Sequence, residues 1–101
     1  MQHQEWQPKE PERVLGPHLA NFSAQAQTDL LNTIYKVAPE SDRMGYRLQG
    51  AALTYTRPDM AEIAACGTVW GAIQVPPDGQ PIILMADHQV TGGYPIIGVV
   101  R

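Results

Sequence analysis

Two apolar runs, WGAIQV and PIILMA, are separated by the turn-forming stretch PPDGQ, and this arrangement constrains the fold more than any other part of the chain. Asp78-Gly79 is a strong reversal signal, because glycine supplies the positive φ angle that tight connections between strands demand. Each flanking run is too short for a helix of the usual ~10–12 residues, so the pair predicts two antiparallel strands. PIILMA is apolar at successive positions, so both of its faces should be enclosed, inside a barrel or between layers. IIGVV predicts one more strand near Arg101.

The remaining segments agree with a chain built mostly of short strands. NFSAQAQTDLLNTIY predicts one short helix capped by Ser23, with Leu30, Leu31 and Ile34 on its apolar face. YKV is extended. In MGYRL, Met44, Tyr46 and Leu48 alternate with Arg43, Gly45 and Arg47, the pattern of a half-buried strand. After a Pro- and Asp-broken stretch from Arg57 to Asp59, AEIAACGTVWGAIQV predicts strands interrupted at Gly67 and Gly71. One helix and about six strands, punctuated by Gly and Pro, give a mainly β, barrel-like or α+β domain. Residues 1–12 are polar, broken by Pro8 and Pro11, and are expected to be a tail or linker remnant before a domain spanning residues 13–101. The last strand has no following hairpin to cover its outer edge, so an early strand, a second copy or a partner chain is expected to pair with it.

Composition excludes several classes of function. Seven Lys and Arg against ten Asp and Glu leave a net charge of −3, with the basic residues scattered, which argues against nucleic acid or an anionic membrane as partner. Apolar runs reach only about six residues against the ~20 of a membrane helix, and MQHQEWQPKEPE has no hydrophobic signal core, so a soluble cytoplasmic protein is expected. A single cysteine, Cys66, forbids an internal disulfide, and its spacing from His3, His18 and His88 does not suit zinc. Cys66 is assigned a packing role.

Polar chemistry concentrates in DHQVTGGYP, Asp87 to Pro95, between two apolar runs. Gly92-Gly93 can form a two-residue hairpin turn, although Pro95 so close behind favours a wider loop. In that loop, bare glycine amides with the Thr91 and Tyr94 hydroxyls would face an anionic or carbonyl oxygen. Asp87 and His88 are adjacent in an extended segment and point to opposite sides, so they form no dyad. Asp87 can equally be a turn-forming carboxylate. Arg43 and Arg47 would lie ~13 Å apart on one strand face, too far to share one carboxylate. Of the two, Arg43, beside the Ser41-Asp42 turn, is taken as the ligand residue and Arg47 as a solvated surface charge. Gln74 is the one polar side chain of AIQV; it either satisfies neighbouring backbone or reads an amide or carboxylate in a pocket. Trp70, on the same predicted strand face, is assigned to core or interface.

SDRMGYRL from Ser41, GAIQVPPDGQPIIL from Gly71 and DHQVTGGYPIIGVV from Asp87 occur in an order and spacing that resemble the KipA family, with GPHLANF at Gly16 fitting as well. Its members are also called the C-subunit of 5-oxoprolinase, allophanate hydrolase subunit 2-like proteins, and the carboxyltransferase-related domain of the biotin-dependent urea amidolyase. The resemblance implies a cyclophilin-like β-barrel, here incomplete and closed by dimerisation or a partner, since members are much longer and the N-terminal half and final strands are absent. VLGP is one residue shorter than usual before its turn, and Val90 stands where threonine is frequent. The implied function is a component of an ATP-dependent 5-oxoprolinase or amidohydrolase-type assembly, a hydrolase, binding a small amide or carboxylate substrate. A KipI-like subunit, a LamB/YcsF-like subunit and further copies of this chain are the implied partners. The implied alternatives are a non-catalytic module that pairs with a KipI-like protein, or a fragment without autonomous activity. No cofactor is expected on this chain, ATP being used elsewhere in the assembly. The substrate-binding residues carried over are Arg43, Gln74, Asp87, Gln89, Thr91, Gly92, Gly93 and Tyr94.

Overall fold

The computed structural model describes residues 5–7, 16, 18–39, 41–61, 63 and 66–100. Along the chain they form β1 (Glu5–Trp6), α1 (Ala24–Asn32), β2 (Tyr35–Val37), β3 (Gly45–Gln49), β4 (Cys66–Gly67), β5 (Ala72–Gln74), β6 (Ile82–Leu84), β7 (Thr91–Gly92) and β8 (Ile96–Val99). Single 3-10 turns lie at Leu19–Asn21 and Pro58–Ala61. Six strands make one antiparallel sheet in the order β1-β2-β3-β6-β5-β8, and β4 pairs with β7 in a separate ribbon. The fold is thus mainly β with one short helix. Among the described residues the sheet does not close into a barrel.

The PPDGQ reversal joins β5 to β6 as expected. The Gly79 amide donates to the Pro76 carbonyl at 2.9 Å, Gly79 has φ +80°, and the Asp78 carboxylate accepts from the Gln80 amide at 3.0 Å. β6 sits between β3 and β5, which explains why PIILMA is apolar throughout: alternate residues serve two different apolar layers. Ile83 joins the main core with Leu48, Ile73, Val75 and Ile97, covered by Ala26 and Leu30 of α1. Leu84 faces the other way, into a smaller cluster with Ala72 and Ile96, against which Cys66 of the β4–β7 ribbon packs. The packing role expected of Cys66 matches this position.

α1 begins where the sequence indicates. The Ser23 hydroxyl accepts from the Ala26 amide at 3.0 Å and also lies 2.6 Å from the Thr54 hydroxyl. Its buried stripe is Ala26 and Leu30, however, not Leu30, Leu31 and Ile34. The helix ends at Asn32, so Ile34 falls beyond it and is 55% exposed. In MGYRL only Leu48 is buried, since the strand starts at Gly45 and leaves Met44 outside it.

Both margins of the chain are tied into the sheet. Within the predicted polar tail, Glu5 pairs with Lys36 and Trp6 with Tyr35, because the indole gains burial against the core and its ring lies 6.4 Å from that of Tyr35. The outer edge of β8 is met by an early segment. The Gly16 and His18 amides donate to the Ile97 and Ile96 carbonyls at 2.9 and 3.0 Å, and the Ile96 amide donates to His18 Nδ1 at 2.9 Å. His18 therefore acts as a side-chain substitute for a strand neighbour.

Candidate functional site

The face of the sheet opposite α1 is covered by the β4–β7 ribbon at its β5–β8 end and left open toward β3. Register places Arg47 of β3 and Gln74 of β5 both opposite Ile82 of β6, so the three form one row across the sheet. With strands ~4.8 Å apart, the arginine and glutamine backbones lie about 10 Å apart on either side of the isoleucine. Above this row opens a cavity of about 650 Å³ lined also by Asp42, Met44, Gly45, Leu84, Gln89, Thr91 and Tyr94. That volume lies in the range of small-molecule sites, which combine an apolar floor with a few converging polar groups. Ile82 and Leu84 are the floor here; a cation, a carboxylate, two amides and two hydroxyls surround it.

The loop that forms one wall is held by a clasp around Thr68. Its amide donates to the Val90 carbonyl at 3.0 Å and its hydroxyl donates to the Gln89 carbonyl. His88 Nδ1 lies 2.7 Å from that same carbonyl and 3.2 Å from the Thr68 hydroxyl. Further on, Thr91 and Gly92 pair with Gly67 and Cys66, and the Gly93 carbonyl accepts from the Ile63 amide at 3.0 Å. Neither Gly92 nor Gly93 has a positive φ, so the pair is not a two-residue hairpin turn and the wider loop is what forms. Gly92 matters for another reason. A Cβ built there would stand 2.3 Å from Gln74 Nε2, so only glycine lets the Gln74 amide lie against β7. Among the described residues the Gln74 side chain has no hydrogen-bond partner and Arg47 has no salt bridge.

Gln74, Gln89, Thr91 and Tyr94 thus come together on one cavity, with Gly92 directly behind Gln74. Gly93 contributes backbone to the ribbon's end. Arg43 and Asp87 lie elsewhere: Arg43 Nε donates to Asp87 Oδ2 at 2.7 Å in a solvent-exposed pair, and the Asp87 amide donates to the Arg43 carbonyl at 2.9 Å. The arginine on the wall of this cavity is Arg47 and not Arg43, which lies on the far side of the turn. The strand alternation does not extend to Arg43. The Asp42 carboxylate accepts from the Met44 and Gly45 amides at 2.8 and 3.3 Å, forming a side-chain-closed turn that ends the strand before Arg43 is reached. Ser41 closes the same turn, its hydroxyl accepting from the Arg47 amide at 2.9 Å. Asp42, Met44 and Thr68 join the site without standing out in the sequence, although the Ser-Asp pair before MGYRL is a legible turn signal. Trp70 lies in a turn before β5 and is 65% exposed, so it belongs to neither the core nor the face that carries Gln74.

Tyr55 supports the site from below. Its hydroxyl donates to the Val75 and Pro76 carbonyls just after Gln74, the latter at 3.0 Å. Burial, reinforced by the charge of Asp78 and by Tyr94, pushes its phenol well above the ordinary tyrosine range. Tyr55 is therefore a fixed donor rather than a base. Among the described residues no group of three or more His, Cys, Asp or Glu could hold a metal ion, and no helix is long and apolar enough to cross a membrane.

The family model for the carboxyltransferase domain, subdomain A and B, matches residues 1–101, including the stretch expected to be a tail. The chain belongs to this family. Carboxyltransferase-domain relatives include the 5-oxoprolinase C-subunit of Haemophilus influenzae, 57% identical over 76 residues, which are 75% of this chain and 24% of that protein. The Escherichia coli 5-oxoprolinase C-subunit is 41% identical over 85 residues, 84% of this chain and 27% of its own length. The chain therefore spans about a quarter of the curated relatives it matches. The crystal structure of the Kluyveromyces lactis urea amidolyase superimposes with a TM-score of 0.80 at 26% identity, covering 87% of this chain and 6% of that one.

Proposed function

We propose that this carboxyltransferase domain forms part of a 5-oxoprolinase-type assembly and that its cavity holds a small molecule carrying both an amide and a carboxylate, of the 5-oxoproline class. The observation that carries this reading is the row Arg47–Ile82–Gln74, which sets a cation and a carboxamide on opposite sides of an apolar floor. Arg47 would take the carboxylate in a charge-assisted pair. The Gln74 carboxamide can donate to an amide oxygen and accept from an amide N–H at once, so it suits a lactam better than a hydroxyl would. Thr91, Tyr94 and Gln89 would close the remaining polar contacts, while Ile82 and Leu84 pack on the ring carbons. The names of the curated relatives favour 5-oxoproline among such molecules.

The chain's own residues bind and orient; among the described residues no side chain on the cavity is hydrogen-bonded to another as a nucleophile with its base. Energy for opening a cyclic amide is assigned to ATP consumed on other subunits, a KipI-like and a LamB/YcsF-like protein. Calorimetric titration of the chain with 5-oxoproline tests the binding step: saturable heat that disappears in Arg47→Ala and Gln74→Leu is expected, and an unchanged affinity in both variants would overturn it. Mixing the chain with the two proposed partners and measuring 5-oxoproline-dependent ATP hydrolysis tests the assembly separately.

A further inference from the structure

One charged group on the cavity has no part in holding a lactam: the carboxylate of Asp42. We propose that this carboxylate recognises a ligand ammonium, so that the cavity also takes the ring-opened form of its substrate, an acyclic amino acid. The proposal rests on the reading of the cavity as a site for a lactam of the 5-oxoproline class and extends it to the product.

Asp42 reaches the cavity through the turn that precedes β3. Its Oδ1 accepts from the Met44 and Gly45 amides at 2.8 and 3.3 Å, and its second oxygen makes no hydrogen bond among the described residues. Two amides therefore fix the carboxylate without exhausting its capacity to accept. In β3, Gly45 pairs with Leu84 and Arg47 with Ile82, the two floor residues, so Gly45 and Arg47 share a face about 6.6 Å apart. Gly45 puts no side chain between Asp42 and Arg47; a Cβ there would come 2.8 Å from Ile82 Cγ2. Among the described residues Asp42 and Arg47 form no salt bridge with each other. The β3 side of the apolar floor thus presents a carboxylate and a guanidinium as separate groups of opposite sign.

Ring opening creates the group that this carboxylate fits. Net hydrolysis of a cyclic amide breaks the ring C–N bond. The water oxygen stays on the acyl carbon as part of a carboxylate, and the nitrogen takes both water protons and becomes an ammonium. From 5-oxoproline the product is glutamate, whose ammonium sits on the carbon beside the carboxylate assigned to Arg47. A lactam nitrogen is neutral with a single N–H, whereas the ammonium brings three donors and a positive charge to Asp42. The carboxylate released at the far end meets donors in the Gln74 carboxamide and the Thr91 and Tyr94 hydroxyls, across the floor from Arg47. Closing the turn requires only an Oδ1 acceptor, which an uncharged asparagine also supplies, so the turn by itself does not call for the charge of Asp42.

Calorimetric titration of the full chain with L-glutamate, and with glutarate, which lacks the ammonium, tests the assignment. The wild-type chain should bind L-glutamate about five-fold more tightly than glutarate, the effect of one solvent-accessible ion pair. Asp42→Asn should reduce that preference to about one, with the circular dichroism spectrum and urea midpoint checking that the turn survives. A merely structural role for Asp42 predicts equal losses for both ligands. No saturable heat with L-glutamate, no preference over glutarate in the wild-type chain, or a preference that survives Asp42→Asn would each overturn the proposal. Parallel titration with 5-oxoproline separates it from the lactam reading. Binding of 5-oxoproline without L-glutamate overturns the ammonium site alone, whereas Asp42-dependent binding of L-glutamate without 5-oxoproline supports that site and overturns the lactam.

Discussion

The two faces of the six-stranded sheet are made by the same strands and yet serve different ends. On the α1 side, Leu30, Tyr35, Leu48, Ile73, Val75 and Ile97 are closed off from water. On the other side, Ile82 and Leu84 form an apolar floor bordered by Arg47 and Gln74, and the β4–β7 ribbon covers only part of it. One residue step along β3, from Arg47 to Leu48, separates the two environments, and a step from Gln74 to Val75 does the same after β5. The comparison teaches that stability and the proposed ligand recognition are segregated by the pleat, so changes to one face should leave the other largely intact.

Leu30→Ala attacks the closed face where it is fully buried, and should cost about 2–5 kcal/mol in urea unfolding, a large part of what holds a chain of this size together. Loss of 5-oxoproline binding with stability untouched would contradict the segregation. Alkaline pH challenges the same face. Burial, with the charge of Asp29 second, pushes the Tyr35 phenol up to about 12, and its hydroxyl donates to the Ala51 carbonyl at 2.9 Å. Its unfolded value is about 10, so the unfolded chain releases this proton first as pH rises. The neutral phenol's contribution is therefore complete below about pH 10 and is lost on the way to about pH 12. Urea midpoints should be insensitive to this group in mildly alkaline solution and fall steeply above it, with a shallower fall in Tyr35→Phe.

Smaller effects sharpen the contrast. Ser23→Ala removes the cap of α1 and should cost about 1 kcal/mol by the same assay, with ligand affinity unaltered. On the open face, Gly92→Ala forces the Gln74 carboxamide to move, and the expected result is about a tenfold loss of 5-oxoproline affinity, equivalent to one hydrogen bond, read by calorimetry. Gln74→Leu should change stability least, by about 0.5 kcal/mol or less, because this side chain is half-buried and makes no hydrogen bond among the described residues, yet it should abolish recognition of the amide.

Much of the scaffold was legible because local chemistry spelled it out. Asp78-Gly79 needed no partner to announce a reversal, Ser23 announced the start of α1, and the doubly apolar PIILMA announced a strand with apolar residues on both faces. Gln74, Gln89, Thr91 and Tyr94 were likewise recognisable as polar groups in an apolar context. Arg43 and Arg47 were not separable in this way. Both follow the same alternation on paper, and what divides them is a turn closed by the Asp42 side chain, whose effect on direction depends on where that carboxylate finds its amides. Trp6 was missed for a related reason: a lone aromatic in a polar stretch has no periodicity, and its burial against Tyr35 comes from a strand pairing some thirty residues away in sequence.

Residue order alone therefore determined the helix and the central strands, the reversal between β5 and β6 and the concentration of polar groups near the last strand, since each follows from interactions over a few neighbouring residues. Tertiary structure decided which arginine faces the cavity, that Gly92 exists to seat Gln74, and that His18 substitutes for a strand at the edge of β8. Those outcomes depend on register between strands distant in sequence, and shifting a register by one residue exchanges every inward side chain for an outward one.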